Sequence, residues 1–223
     1  MFQLGISAAC AYVRKSLDEL TSVEDIGMLA SPDALDLQKI VESSIVEAAV
    51  RVHERASSVL MDGVKGKSGS DFTATVNNDK SVTITMNKNA VRIVSIQSKQ
   101  TTESKVISNV ITDLIPEDSA EGRKQQNPYV CGTYDDPRAV LNKVWADDHR
   151  PIMTYYSVHE NELPDLVVEY VPYPVIEENV IEICSRLEYA VLNELTAMVM
   201  DSYGLAERAA QHRNRANEIM EGR

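Results

Sequence analysis

The period at which apolar residues recur changes twice along this chain, and that change constrains the fold more than any single motif. Near both ends the spacing is helical, whereas across the middle apolar and polar residues alternate. A period of three to four buries one stripe of a helix, and a period of two buries one face of a strand. The chain therefore reads as helices, then strands, then helices.

Ile6, Ala9, Tyr12, Val13, Leu17 and Leu20 predict one amphipathic helix from Leu4 to Leu20. Ser31-Pro32-Asp33 supplies a hydroxyl cap, a proline for the first turn and an acid at the positive end of the macrodipole. It predicts the start of a long helix whose stripe runs through Leu35, Ile45, Val52 and Val59 to about Leu60, with Gly63 marking its end. The period then shortens. Phe72, Ala74 and Val76, followed after Asn77-Asn78-Asp79-Lys80 by Val82, Ile84 and Met86, predict a β-hairpin. Further strand-like runs occupy Val91 to Ile96, Val106 to Ile111, Ala139 to Val144, Ile152 to Ser157 and Leu166 to Val171. Strands that follow one another without intervening ten-residue helices favour antiparallel pairing over βαβ units.

Pro172 and Pro174 stop the last strand. A helix from about Ile176 to Tyr203 then aligns Val180, Cys184, Leu187, Val191, Leu195 and Met198 on one seam, with Gly204 as its cap. The segment Leu205 to Met220 also reads as helical but weakly apolar, a helix that a partner would order. The expected fold class is thus α+β, a helical bundle from the two ends of the chain with an antiparallel β-rich middle domain. Its expected parts are N-terminal helices (1–62), the β domain (63–174), a long helix completing the bundle (175–204) and a C-terminal docking helix or tail (205–223).

Lys and Arg number 22 against 34 Asp and Glu, a net charge of −12 that argues against DNA or anionic lipid as a ligand of the whole surface. Cys10, Cys131 and Cys184 are too few and too far apart for a disulfide framework or a Cys-x-x-Cys site, which fits a reducing compartment. Met1 to Ala11 has no basic region and no cleavage site, and no run of eighteen apolar residues occurs, so the chain reads as soluble and untargeted.

Catalytic motifs fail on spacing or context. Gly63-Val64-Lys65-Gly66-Lys67-Ser68 resembles a phosphate loop, but Met61 stands where its first glycine belongs, and a helix precedes it where a strand should; it reads as a mobile connector. His159-Glu160-Asn161-Glu162 lacks the second histidine of a zinc-protease helix, because Leu163 holds that position. His53, His149, His159 and His212 are scattered, so no metal site and no cofactor is expected. Cys131 reads as a small strand residue, and no catalytic nucleophile stands out.

The charge is uneven. The window from Asn161 to Glu194 holds eight acids against Arg186 alone, with Glu177, Glu178, Glu182, Glu188 and Glu194 on the non-seam faces of the expected C-terminal helix. On a monomer these make an ordinary solvated face; in a ring they make an inner wall that repels DNA. The stretch from Gly63 to Lys105 is net positive through Lys65, Lys67, Lys80, Lys88, Arg92, Lys99 and Lys105. Opposite charges on two regions of one chain suit contact between identical subunits. Tyr129, Tyr134, Tyr155, Tyr156, Tyr170 and Tyr173 cluster with Trp145, and core is the expectation for half of them.

Three local patterns add to the order of parts. They are the strand Val91-Arg92-Ile93-Val94-Ser95-Ile96, the segment Pro116-Glu117-Asp118-Ser119, and the run from Arg123-Lys124-Gln125-Gln126 through Asn127-Pro128-Tyr129-Val130 to Cys131-Gly132-Thr133. Pro137-Arg138-Ala139-Val140-Leu141, the strand end Tyr170-Val171-Pro172 and the helix Ile176 to Met200 follow. Together these resemble the head-to-tail adaptor family beneath the portal of short-tailed phages, known as tail tubular protein A or gatekeeper proteins, with related rings in crAss-like phages. The likeness covers roughly residues 30 to 220 and departs from familiar members in the acidic balance and the short start before Leu4.

The resemblance implies a structural virion protein, not an enzyme, assembled in the host cytoplasm into a dodecameric ring of the tail or neck. Such a ring binds the portal above and other tail or ring proteins below, while genome DNA crosses its lumen without sequence-specific binding and no membrane is involved. In that family the C-terminal segment reaches toward the portal; here it matches Leu205 to Arg223, with Leu205, Arg208, Arg213, Arg215 and Met220 as docking residues. Two other readings stand beside it, a hydrolase centred on His159, Glu160 and Glu162, and a monomeric acidic scaffold or binding protein.

Overall fold

The computed structural model describes residues 1–18, 34–79, 81–101, 106–127, 129–133, 136–142, 150–156 and 163–222. In chain order, β1 (Phe2–Gly5), α1 (Ile6–Asp18) and α2 (Ala34–Arg55) come first. The strands β2 (Val64–Gly66), β3 (Phe72–Val76), β4 (Ser81–Met86), β5 (Ala90–Thr101), β6 (Val106–Ile111) and β7 (Ile115–Pro116) follow. Next are α3 (Ala120–Gln125), β8 (Arg138–Leu141), β9 (Ile152–Tyr156) and β10 (Asp165–Pro172). The chain closes with β11 (Ile176–Glu177), β12 (Val180–Ile183), α4 (Glu188–Ser202) and α5 (Ala206–Met220). The fold is α+β, with a β-rich middle between helical ends. It divides into two compact units, Met1–Asp62 with Pro174–Arg223, and Gly63–Tyr173.

In the first unit α4 is the core. Ten of its residues from Ala190 to Met200 are buried, on all sides of the helix, because α1, α2 and α5 each pack against it. A helix apolar all round is stable only when so enclosed. From α2, the stripe Leu37, Val41, Ile45, Ala48, Ala49 and Val52 is buried at the spacing expected of it. Gly204, at φ +76°, ends α4 as expected: the Leu205 amide donates to the Met200 carbonyl and the Gly204 amide to Asp201, a paired closure that needs a left-handed residue.

Four expectations for this unit are corrected. The first helix does not begin at Leu4, since Phe2–Gly5 is a strand paired antiparallel to β12. The long helix ends at Arg55, short of Leu60, and a single 3₁₀ turn over Ser58–Leu60 leaves Val59 exposed. The expected helix from Ile176 to Tyr203 is a hairpin followed by a shorter helix: β11 and β12 pair across Glu178 and Asn179, both with positive φ, the geometry of a tight two-residue turn. Finally, α5 is ordered within the chain, its Ala209, His212, Ala216 and Met220 buried and its long side against α4.

The second unit has a four-stranded sheet in the order β2-β10-β5-β6 and a five-stranded sheet in the order β3-β4-β9-β8-β7. Every pair is antiparallel except the two-residue β7–β8 pair, which is parallel. Alternation fills one shared core: Phe72, Val82, Ile84, Met86, Met153 and Tyr155 from one sheet meet Ile93, Ile96, Leu166, Val168 and Tyr170 from the other. The buried hydroxyls of Ser98 and Tyr155, 2.6 Å apart, hydrogen-bond across it. The predicted hairpin is β3 and β4, whereas the Gly/Ser/Lys stretch is not a bare connector, because β2 pairs with β10.

Candidate functional site

The expected docking residues are only partly outward-facing. Met220 is 4% exposed and faces the core with Ala209 and Ala216, small residues that let α5 approach α4 closely. His212 joins that face by a 2.8 Å hydrogen bond from its Nδ1 to the Asn193 side chain. Leu205, Arg208 and Arg213 are half-buried, Arg213 pairs with Asp201 at the end of α4, and Arg215 is exposed. Met220 is therefore a packing residue, and the charged part of the segment is what reaches solvent.

The expected acidic face is also redistributed. Glu177, Glu178 and Glu182 are exposed together on the β11–β12 hairpin, since Ile176 and Ile181 take its inner face and leave the alternate positions outward. Glu188 is half-buried in the first turn of α4. Glu194 does not belong to that face: its side chain is 2% exposed and accepts a 3.4 Å bond from Arg51 of α2. A carboxylate enclosed by packing needs a hydrogen-bonding partner inside.

His53, weighed above only among the scattered histidines, is a titratable group of the helical core. Its ring is fully buried, and Nε2 accepts the Cys184 backbone amide at 3.1 Å, which places the proton of the neutral ring on Nδ1. That buried Nδ1 has no hydrogen-bond partner among the described residues, and burial pushes the imidazole down to about 4. Its position on the stripe, four residues after Ala49 and three before Ala56, was the available signal. Beside it, burial raises the Cys184 thiol, and Asp62 accepts the Ser185 amide at 3.2 Å and the Ser185 hydroxyl, which hold its carboxyl below the usual range.

In the β unit, the Gly-Lys-Ser loop is already organised around an anion of its own chain. The Asp71 carboxylate accepts the Lys67 amide at 2.8 Å and the Ser70 hydroxyl at 3.1 Å, and pairs with Lys88 at 2.7 Å. These bonds, the Lys67 amide first, hold it down to about 2. The amide that a phosphate would require is thus satisfied internally. Cys131 lies in a turn, not a strand, with its amide donating to the Asn127 carbonyl.

Two features of this unit stand out on its surface. The first is a cleft of about 680 Å³, with Pro116 and Leu141 on its apolar side and Glu117, Asp118, Arg123 and Asn142 on its polar side. It is held by α3, whose cap Ser119 accepts the Gly122 amide at 2.9 Å, and by Arg123, which donates to the Asp118 carbonyl at 2.9 Å. Gly122 is needed there, because a Cβ would stand 2.3 Å from the Pro116 carbonyl oxygen.

The second is the turn beyond α3, where Tyr129 is 93% and Val130 58% exposed. Asn127 shapes it: its side chain accepts the Tyr129 amide and its carbonyl the Val130 amide, each at 3.0 Å. Below the turn, buried Gln125 accepts the Gly132 amide at 2.9 Å. Of the clustered tyrosines, Tyr155 and Tyr170 are core, Tyr156 and Tyr173 half-buried and Tyr129 exposed.

The hydrolase residues His159, Glu160 and Glu162, together with His149, Trp145, Tyr134, Lys80, Lys105, Arg223 and the helix start Ser31-Pro32-Asp33, lie outside the described residues. Among the described residues no group of three or more His, Cys, Asp or Glu side chains could hold a metal ion, and no helix is long and apolar enough to cross a membrane. No protein-family model matches the chain, and neither a curated protein nor a solved structure was found that matches it.

Proposed function

We propose that this chain is a structural subunit of a connector ring between portal and tail in a short-tailed phage, forming part of the channel crossed by the genome. One observation carries the reading. A β unit, Gly63–Tyr173, is inserted into a helical unit built from both ends of the chain, the order of parts by which the sequence resembles the adaptor family. The charge supports it: at −12 per chain, with Glu177, Glu178 and Glu182 exposed on one hairpin, a ring wall repels DNA instead of binding it. The ring binds portal through the charged outer side of α5, where Arg215 is exposed, and tail proteins through its opposite end.

Light scattering after size exclusion tests the assembly, alone and with portal. The expected species is close to twelve times the 24.8 kDa of one chain. A species that stays monomeric in both conditions overturns the ring and leaves the acidic scaffold. Docking is tested by Arg215→Glu, because truncation after Gly204 would strip α5 from the α4 core. Unchanged portal binding by Arg215→Glu removes that residue from the interface.

A further inference from the structure

We propose that His53 is an acid-released latch: its neutral ring holds the residues that lead into α4 against the segment that follows α2, and protonation lets the two part while the rest of the helical unit stays folded. The latch operates within one chain, whether or not copies assemble into a ring.

Several contacts converge on one short stretch. His53 Nε2 accepts the Cys184 amide at 3.1 Å, and the Cys184 thiol lies 3.9 Å from the Met61 sulfur and 3.8 Å from the Asp62 carbonyl oxygen. Asp62 accepts the Ser185 amide and hydroxyl, and Arg186 donates to the Val59 carbonyl at 3.0 Å. Each of these joins His53 or the segment after α2 to Cys184, Ser185 or Arg186. That segment has little else to hold it, since its 3₁₀ turn over Ser58–Leu60 buries no residue. Asp62 is also the last residue of the helical unit before the chain enters the β unit, so the latch fixes where the chain leaves.

The central bond exists in one protonation state. To accept an amide, Nε2 must be bare, so the neutral ring carries its proton on Nδ1, a buried donor with no acceptor among the described residues. One bond holds the latch, and one orphaned donor, which water would satisfy on release, works against it. A second proton removes the acceptor, sets two donors against each other and leaves a charge inside the fold.

His53 is the group at this contact that changes state in mild acid. Three and four places from it on α2 stand Ala49, Val50, Ala56 and Ser57, none of them charged. Across from it, Ser185 holds the Asp62 carboxyl below its usual range and burial raises the Cys184 thiol, so both keep their state between pH 5 and pH 7. The cations acting on Asp62 are Arg186 and the Met1 amino group. Glu194 of α4 is engaged by Arg51, and His212 of α5 by Asn193.

Hydrogen–deuterium exchange of the full chain tests the latch, read by mass spectrometry on peptides covering Val180 to Leu187 and Ala190 to Met200 and corrected for the pH dependence of chemical exchange. A ring that titrates near 6.5 when released and at about 4 when latched makes the open form about 20-fold more populated at pH 5 than at pH 7. Protection at Cys184 and Ser185 should fall by that factor while Ala190 to Met200 keep theirs. In His53→Gln, whose side-chain oxygen accepts the amide without titrating, the fall should shrink below about threefold. A second readout leaves His53 in place: in Cys10→Ser/Cys131→Ser, the reaction of Cys184 with a dithiodipyridine, relative to free cysteine at each pH, should rise by the same factor. Wild-type protection equal at both pH values, protection lost equally from Ala190 to Met200, an unchanged relative thiol rate, or a fall in His53→Gln as large as in the wild type overturns the latch.

Discussion

In the helical unit Glu194, His53 and His212 all lie within the packed interior against Arg51, the Cys184 amide and Asn193, whereas in the β unit Lys88, Glu117 and Tyr129 stand at the surface. The difference follows from geometry. A helix enclosed as α4 is between Ala190 and Met200 has almost no solvated face there, so a polar residue on that stretch finds its partner inside. Two sheets that share a core have one inner face each, which leaves the outer faces and the connecting turns for contacts with other molecules. The helical unit therefore concentrates sensitivity to conditions, and the β unit concentrates surface for recognition.

The largest expected effect that tests this contrast is on pH dependence. His53 titrates near 6.5 in an unfolded chain and at about 4 when buried, so folding requires the neutral ring. Its contribution is fully present above pH 6.5 and is lost as pH falls through about 4, amounting at most to about 3 kcal/mol. The cause is burial of the ring, and protonation would also set an Nε2–H against the Cys184 amide donor. In the β unit, Asp71 behaves differently, since its carboxyl lies below the usual 3.8, at about 2, and its contribution persists until pH falls through that lower range. Urea unfolding followed by circular dichroism from pH 7.5 to 4.5 should show a falling midpoint, and His53→Gln should flatten that slope. An unchanged slope in the variant would mean that His53 is not the group responsible.

Much of the β unit was legible because its signal is local. In β4, Val82, Ile84 and Met86 alternate with polar residues and are its buried apolar positions; β6 and β9 lie where the apolar runs placed them. The helical unit was less legible. Val180, Cys184 and Leu187 fit a helical seam as well as a hairpin leading to a helix, and Glu178-Asn179 gives no glycine to announce the turn. What selects the hairpin is pairing of β12 with Phe2–Gly5, nearly the whole chain length away. Glu194 likewise looked solvated because its partner, Arg51, is 143 residues distant. The cleft draws on three separate segments around Pro116, Arg123 and Leu141, so no contiguous motif encodes it. Tyr129 stood out only as one of a cluster, since exposure of a turn residue depends on the bonds beneath it.

A smaller effect sharpens the contrast at the turn. Gly132→Ala places a Cβ against two backbone atoms of the β unit, Arg138 nitrogen and Tyr156 oxygen, neither of which can rotate away. A forced shift of this kind costs about 1–3 kcal/mol. The expected outcome is a lowered urea midpoint for the variant, read by circular dichroism. An unchanged midpoint would mean that the turn takes up the added Cβ without disturbing the strands beside it.

Gly204→Ala provides the smallest effect and the matching case in the helical unit. Nothing lies within 4 Å of a Cβ built there, so no neighbour has to move. The cost arises only from the backbone, held at φ +76° by the bonds from Gly204 to Asp201 and from Leu205 to Met200. A left-handed non-glycine residue costs about 1–2 kcal/mol, and the lower unfolded-state entropy of alanine offsets about 0.4–1 kcal/mol of that, leaving a net loss of about 1 kcal/mol. The turn joins α4 to α5, so a loss this small requires that the helix pair survive the substitution intact. Urea denaturation of Gly204→Ala measures it; a loss well above 2 kcal/mol would mean that the packing of α5 on α4 depends on the turn as well as on Ala209, His212, Ala216 and Met220.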